Sequence, residues 1–139
     1  MGIDRRHVGF ALPTFNLTIE PDRLARFAEA IGDAGGSAIA PPTFLKVIEG
    51  EGGSSRRILD ELGVDLRRVL HAEQQFEYFS PIRVGDSISV ERKVAEIYEK
   101  KGGEMEFIVI ETGFFAPSGE RVATSRQIVL VRHPKKREQ

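Results

Sequence analysis

The second half of the sequence, from about residue 70 onward, consists almost entirely of candidate β-strands. Short connections that contain Gly or Pro separate these runs, and such connections favour hairpins between antiparallel neighbours. The segments Glu99–Gly103 and Ala116–Glu120 are the clearest hairpin signals. The sequence therefore predicts a long antiparallel sheet from four strands, at about residues 70–80, 86–98, 104–116 and 121–132.

Two of these strands carry apolar residues on both faces. Ile108, Val109 and Ile110 are consecutive, and residues 129–131 repeat the pattern. Strands of this kind are usually covered on both sides of the sheet. A helix of the same chain can cover one face, but the short first half cannot easily cover the other. We therefore expect a second subunit to complete the structure.

The first half of the sequence combines one short strand with helical periodicity. Residues 14–20 alternate as a strand does, and Pro21 then stands where a first helical residue is expected. The helix that begins there is predicted to end at Gly32. Residues 33–42 contain two glycines and two prolines and are predicted to form a loop.

Two further helices are predicted before the strands begin. One begins at Pro42 and is apolar on much of its circumference, which predicts that it is buried. The glycines at positions 50, 52 and 53 end it. The other is short, is capped by Ser54 or Ser55, and is closed by Gly63 after Leu62.

Composition excludes several classes of protein. The 139 residues fit one domain, predicted over 1–139 with flexible tails at 1–7 and 133–139. The net charge of −1 gives no electrostatic reason to expect nucleic acid or an anionic membrane as a partner. The absence of cysteine excludes disulfides and thiolate metal sites, and it is compatible with the cytoplasmic location that we expect. Three widely separated histidines form no local metal motif, and no apolar run approaches the ~20 residues of a membrane span.

Four stretches of the chain resemble the MaoC-like hotdog family, and most closely the N-terminal dehydratase domain of MaoC dehydratases. The likeness extends from about Phe10 to Arg132. It implies an α+β single hotdog fold, in which a long antiparallel sheet wraps around a central apolar helix. The stretches that carry the resemblance are Arg23–Asp33, Ile39–Leu45, Leu70–Asp86 and Arg121–Gln127.

The resemblance implies (R)-specific hydration of an enoyl thioester of CoA or acyl carrier protein, or the reverse dehydration, without a cofactor or metal. Catalytic members of the family place an Asp and a His five positions apart after the first helix. Here Asp33 is the only candidate catalytic residue, because no histidine occurs between it and His71. We therefore expect a non-catalytic subunit that is paired with a partner bearing the Asp and His, although a homodimer stays open.

The candidate substrate-binding residues lie in the loop, at the start of the central helix and on the first long strand. Gly36 and its neighbours would shape a gap for a pantetheine arm. The aromatic candidates suit an acyl tunnel, the core or a dimer interface equally well. The complete set is Gly36, Thr43, Phe44, Phe76 and Tyr78.

Two alternative functions remain open from the sequence. One is a homodimeric hotdog thioesterase that uses Glu49 or Glu51, near the end of the central helix, as its carboxylate. The other is a non-enzymatic hotdog that binds acyl-CoA. The acyl chain length and the choice between CoA and acyl carrier protein are not determined by the sequence.

Overall fold

The computed structural model describes residues 2–30 and 42–133. Within these ranges the chain forms one five-stranded antiparallel sheet in the order β1-β3-β4-β5-β2. The four long strands confirm the sequence prediction to within a few residues. The strands are β1 (Phe15–Thr18), β2 (Val69–Tyr78), β3 (Ser87–Lys100), β4 (Met105–Phe115) and β5 (Arg121–Arg132).

Three α-helices lie in the first half of the chain: α1 (Pro21–Ala30), α2 (Leu45–Glu49) and α3 (Ser54–Glu61). A 3-10 turn over Pro42–Phe44 leads into α2. The predicted stop of the first helix at Gly32 and most of the predicted loop lie outside the described residues. Between α2 and α3, Gly52 and Gly53 have φ values of 66° and 70°, a backbone conformation that favours glycine.

The sheet wraps around α2, as the sequence predicts. Leu45 and Ile48 of α2 are 0% and 1% exposed, and they pack in one apolar cluster with side chains from all five strands. This burial agrees with the apolar sequence of the helix, because three of its five residues are buried and the other two are half-buried. We refer to the side of the sheet that faces α2 and α3 as the inner face.

Two apolar clusters occupy the inner face, one at each end of the strands. The first surrounds α2 and includes Val90 and Phe114. The second packs α3, through Ile58, against Val94 and Ile110. The positions between the two clusters on β3, β4 and β5 are polar.

The outer face of the sheet carries a third apolar cluster, made of Phe107, Val109, Ile128 and Leu130. Tyr98 stacks on Phe107 at a centroid distance of 4.9 Å. These residues explain why β4 and β5 are apolar on both sides. The second subunit that we expect on this evidence stays a prediction.

The N-terminal segment packs against the sheet. Ile3 is buried, and its backbone N–H donates to the Glu106 carboxylate at 2.9 Å. This contact places part of the tail predicted at residues 1–7 against β4. Of the tail predicted at 133–139, His133 lies beside the same carboxylate, and the rest falls outside the described residues. No helix in residues 2–30 or 42–133 is long and apolar enough to cross a membrane.

Candidate functional site

Three of the candidate substrate-binding residues meet on the inner face beside the start of α2. Phe44 is buried and contacts the edge of Phe27, with ring centroids 5.2 Å apart. Phe76 and Tyr78 alternate on β2 and pack, half-buried, against the same apolar cluster. Thr43 lies exposed in the 3-10 turn just before Phe44. Asp33 and Gly36 lie outside the described residues.

The Tyr78 hydroxyl connects β2 to the first residue of α2. Burial raises the pKa of Tyr78 well above its ordinary value, although a hydrogen bond from the Leu45 backbone partly opposes this shift. The phenol is therefore neutral at physiological pH. It accepts a hydrogen bond from the first backbone amide of α2.

A belt of polar side chains crosses the inner face between the two apolar clusters, and Arg92 is its centre. The guanidinium is 1% exposed and donates five hydrogen bonds of 2.8 to 3.0 Å. Burial lowers the pKa of Arg92, although nearby Glu49 favours the charged form. The acceptors are Thr112 Oγ1, the Glu49 carbonyl, the Ser54 and Ser55 hydroxyls and Gln127 Oε1.

Glu49 places a carboxylate in the same belt at the end of α2. It is 0% exposed, and its Oε2 accepts a 2.6 Å hydrogen bond from the Ser125 hydroxyl. The same hydroxyl accepts from Gln74 Nε2 at 2.7 Å. Two buried oxygens in this chain of bonds, Glu49 Oε1 and Gln74 Oε1, have no hydrogen-bond partner. The Lys46 ammonium lies 3.7 Å from Glu49 Oε1, and burial lowers the pKa of Lys46.

A second buried carboxylate, Glu106, binds both ends of the described chain. Besides the Ile3 amide it accepts from Arg5 Nη1 at 2.6 Å and lies 2.6 Å from His133 Nε2. Burial alone would raise the pKa of Glu106, but the hydrogen bonds from Arg5, Ile3 and His133 outweigh it and lower the pKa. The group is therefore ionised at neutral pH.

The positions of the three histidines bear directly on the catalytic prediction. His7 ends the 3-10 turn near the N-terminus, and His71 is exposed on β2. His133 is engaged with Glu106. None of the three lies in the 37 residues between Asp33 and His71, so none stands five positions after Asp33.

The two carboxylates proposed for a thioesterase differ in their surroundings. Glu49 is enclosed by the polar belt, whereas Glu51 is partly exposed and forms a 2.5 Å ion pair with Arg23. No cluster of three or more potential metal ligands occurs in the described part of the chain. The structure therefore brings no metal-binding set together at these carboxylates.

A groove of about 410 Å³ lies beside the outer face, close to the crossing of the N-terminal segment over the sheet. Gly113, Phe115 and Arg121 line part of it, and the Arg121 guanidinium stacks over the Phe115 ring at 4.9 Å. None of the four candidate substrate-binding residues that the structure describes, Thr43, Phe44, Phe76 and Tyr78, lines this groove. It is therefore separate from the aromatic cluster beside α2.

Sequence reasoning missed the polar belt and the Glu106 contacts. A signal was present, because Arg92 occupies an inward position between Val90 and Val94 on an alternating strand. Glu106 likewise shares the face of Ile108. A charged residue at such a position indicates a buried and partnered group.

Comparison with known proteins gives a family match over most of the chain. Residues 6–125 match the model of the FAS1-like dehydratase domain region. A UPF0336 protein of Thermobifida fusca is 30% identical over 148 aligned residues, which cover 95% of each chain.

Solved structures show a similar fold. A chain of the HadBC (3R-hydroxyacyl-ACP dehydratase) complex from Mycobacterium tuberculosis has a TM-score of 0.73 at 16% identity, covering 89% of this chain and 96% of that one. A MaoC-like dehydratase has a TM-score of 0.75 at 22% identity, covering 91% and 42% respectively. These similarities agree with the five-stranded sheet around α2.

Proposed function

The chain belongs to the family of FAS1-like dehydratase regions and has the hotdog fold of MaoC-like dehydratases, and on this basis we propose that it is the acyl-thioester-binding, non-catalytic subunit of an (R)-specific enoyl-thioester hydratase or 3-hydroxyacyl-thioester dehydratase. Its partner is a second hotdog subunit that carries the catalytic Asp and His. The HadBC complex, a dehydratase named for two components, supports this arrangement.

The observation that carries the proposal is the position of the histidines. Hydration of an enoyl thioester needs a base that removes a proton from water as its oxygen bonds to C3, and an acid that protonates C2. In this chain no histidine lies between Asp33 and His71, which is exposed on β2, and His133 is engaged with Glu106. Asp33 alone cannot supply both proton transfers, so the pair has to come from a partner.

The contribution of this chain is a surface for the acyl group. Phe76 and Tyr78 present half-buried rings on the inner face of β2, next to the start of α2. Apolar and aromatic side chains of this kind line most sites for small molecules. Phe44 supports them from within the core rather than from the surface.

The thioesterase alternative is less consistent with the geometry. A carboxylate that attacks a thioester, or activates water beside it, has to reach the carbonyl carbon. Glu49 is 0% exposed and bonded to Ser125, whereas Glu51 is paired with Arg23. Both carboxylates are therefore engaged in structural contacts.

Crotonyl-CoA hydration by purified subunits tests the proposal. We expect no activity from this chain alone and activity when it is co-purified with an Asp/His-bearing hotdog subunit from the same genome. Asp33→Ala in this chain should leave the activity of the complex unchanged, whereas Asp→Asn in the partner's motif should abolish it. Hydration by the isolated chain that is lost in Asp33→Ala would contradict the proposal. Thioester hydrolysis that is lost in Glu49→Gln would instead support the thioesterase.

A further inference from the structure

We propose that Lys46 is a covalent acylation site, at which a bound acyl thioester transfers its acyl group to the Nζ atom of this lysine. Acylation of Lys46 presupposes the acyl-binding role proposed above, because the thioester has to be held beside α2. Three features of Lys46 support the assignment: its place on α2, its access to solvent and the charged groups beside it.

Lys46 is the second residue of α2 and lies beside the proposed acyl site. The backbone of the preceding residue, Leu45, forms a hydrogen bond with Tyr78. The following residue, Val47, packs half-buried against the same apolar cluster as Phe76. The Lys46 side chain therefore leaves the backbone between two residues that border the acyl site.

The contacts of the ammonium place it on the β2 side of α2. Lys46 Nζ lies 3.7 Å from Glu49 Oε1, and Glu49 Oε2 accepts a hydrogen bond from Ser125 Oγ at 2.6 Å. Ser125 is the cross-strand partner of Phe76 in the pairing of β2 with β5. The Cβ atoms of such partners are about 4.5–5.5 Å apart. Two side-chain contacts and one cross-strand pair therefore connect the ammonium to Phe76.

The Lys46 side chain is accessible, in contrast to the charged groups of the polar belt. It is 43% exposed, whereas the Glu49 side chain beside it is 0% exposed and Arg92 is buried. A thioester that enters from solution can therefore reach Lys46 Nζ without any movement of the core. Lys46 thus offers a nucleophilic atom at the exposed border of the belt.

The surroundings of Lys46 favour the neutral amine, which is the nucleophilic form of lysine. Burial lowers the pKa of Lys46. Glu49 on α2 opposes this shift, and Arg92 on β3 adds to it. The ion pair with Glu49 therefore holds the ammonium in place, while burial keeps the cost of losing its proton below that of a lysine in water.

The transfer is an aminolysis in which atoms and charges balance. Lys46 loses one proton to solvent, and the lone pair of Nζ forms a bond with the thioester carbonyl carbon. The C–S bond of the tetrahedral intermediate then breaks, the nitrogen loses a second proton, and the leaving thiolate is protonated. The products are an amide at Lys46 and the free thiol, so neither an oxidant nor a further reactant is needed. Acylation also removes the positive charge of Lys46.

Peptide mass spectrometry after incubation with butanoyl-CoA tests the proposal. The full chain is used alone and in complex with its partner subunit, and the adducts at Lys46 and at exposed Lys93 are quantified in the same samples. A bound thioester has an effective concentration in the mM range, so at about 0.1 mM butanoyl-CoA we expect Lys46 to react at least about tenfold faster than Lys93. The rate at Lys46 should saturate with concentration, whereas the rate at Lys93 should rise linearly.

Matched variants and an unreactive ligand locate the effect. Lys46→Arg keeps the positive charge but removes the nucleophile, so the saturable adduct should disappear. Lys93→Arg is the control and should leave the adduct at Lys46 unchanged. A thioether analogue of butanoyl-CoA carries no transferable acyl group; it should slow the reaction at Lys46 by occupying the site and leave the rate at Lys93 unchanged. Circular dichroism confirms that each variant is folded.

Calorimetric titration with the thioether analogue distinguishes a failure of the proposed function from a failure of the acylation site. If the analogue binds neither to the chain nor to the complex, the acyl-binding role itself is wrong. If the analogue binds but Lys46 reacts no faster than Lys93, the acyl-binding role stands and the acylation site is wrong. An adduct at Lys46 that grows linearly with thioester concentration, or that the analogue does not slow, also refutes the site.

Discussion

Replacement of Arg92 by Met should strongly destabilise the fold. Methionine retains an unbranched apolar side chain, but all five hydrogen bonds of the guanidinium disappear. The loss is concentrated where α2, α3, β4 and β5 meet, because the five acceptors belong to those elements. The favourable electrostatic interaction between the guanidinium and the nearby Glu49 is lost as well.

The size of the effect follows from the burial of both groups. Arg92 is 1% and Glu49 0% exposed, so solvent cannot replace the missing donors. Each hydrogen bond to a charged group contributes about 1.5–3 kcal/mol, so the loss of five such bonds, partly offset by relaxation of the acceptors, should cost about 4 kcal/mol. A domain of this kind has a free energy of unfolding of about 5–15 kcal/mol. The variant should therefore be only marginally folded.

Urea denaturation followed by far-ultraviolet circular dichroism measures the loss. The chain has no tryptophan, so intrinsic indole fluorescence is not an option. With a slope of about 2 kcal/mol per M urea, the midpoint should fall by about 2 M. Arg92→Lys should be intermediate, because one ammonium cannot reproduce the planar fork that reaches several elements at once.

Lys93→Met is the matched control. Lys93 is the next residue on β3, is exposed, and points away from the belt, so its loss should change the unfolding free energy by less than about 0.5 kcal/mol. The double variant Arg92→Met with Glu49→Gln should lose less unfolding free energy than the sum of the two single variants. The reason is that Glu49→Gln removes the carboxylate charge that Arg92→Met leaves without the nearby guanidinium. A loss in Arg92→Met below about 1 kcal/mol, or equal to that in Lys93→Met, would refute the reasoning.

Three further predictions concern single groups. The pKa of Glu106 is lowered in the folded protein, so the ionised carboxylate stabilises the fold above the usual Glu pKa of 4.5, and this stabilisation is lost as the pH falls through the folded pKa. Glu106→Gln should therefore be less stable than wild type at pH 7. The urea midpoints of the variant and of wild type should converge in acid. Tyr78→Phe should lower the free energy of unfolding by about 1 kcal/mol, because the hydrogen bond from the Leu45 backbone is lost. In wild type, an absorbance titration should show Tyr78 ionising at a higher pH than free tyrosine. Gly113→Ala would place a Cβ 2.7 Å from the Phe115 ring, so thermal unfolding should show that the free energy of unfolding falls by about 1–3 kcal/mol.

The sheet could be predicted from the sequence because its signals are local. Strand boundaries depend on alternation within a few residues and on turn residues such as Gly119, and both are visible without knowledge of the fold. The prediction of a buried central helix came from the apolar residues around Leu45 and Ile48 in the same way. These elements agree with the structure because local preference and tertiary packing favour the same conformation.

The polar belt could not be predicted in the same way, because its partners are distant in sequence. Arg92 bonds to Glu49, which is 43 residues earlier, and to Gln127, which is 35 residues later. Alternation assigns Arg92 to the inner face, but only the three-dimensional arrangement supplies acceptors there. The Glu106 contact with Ile3 spans 103 residues and was missed for the same reason. The sequence therefore predicted residues 1–7 as a flexible tail.

The polar belt also bears on how the site beside α2 is positioned. A buried charged group, even with all its hydrogen bonds formed, is often no more stabilising than apolar residues of the same volume, so stability alone does not account for the belt. The belt fixes the positions of α2 and α3 relative to β3, because Arg92 donates to the last carbonyl of α2 and to the hydroxyls of the first two serines of α3. An apolar contact would allow this five-residue helix to slide along the sheet, whereas directional bonds fix its end. Fixing α2 also fixes Phe44, which directly precedes it, relative to Phe76 and Tyr78 on β2.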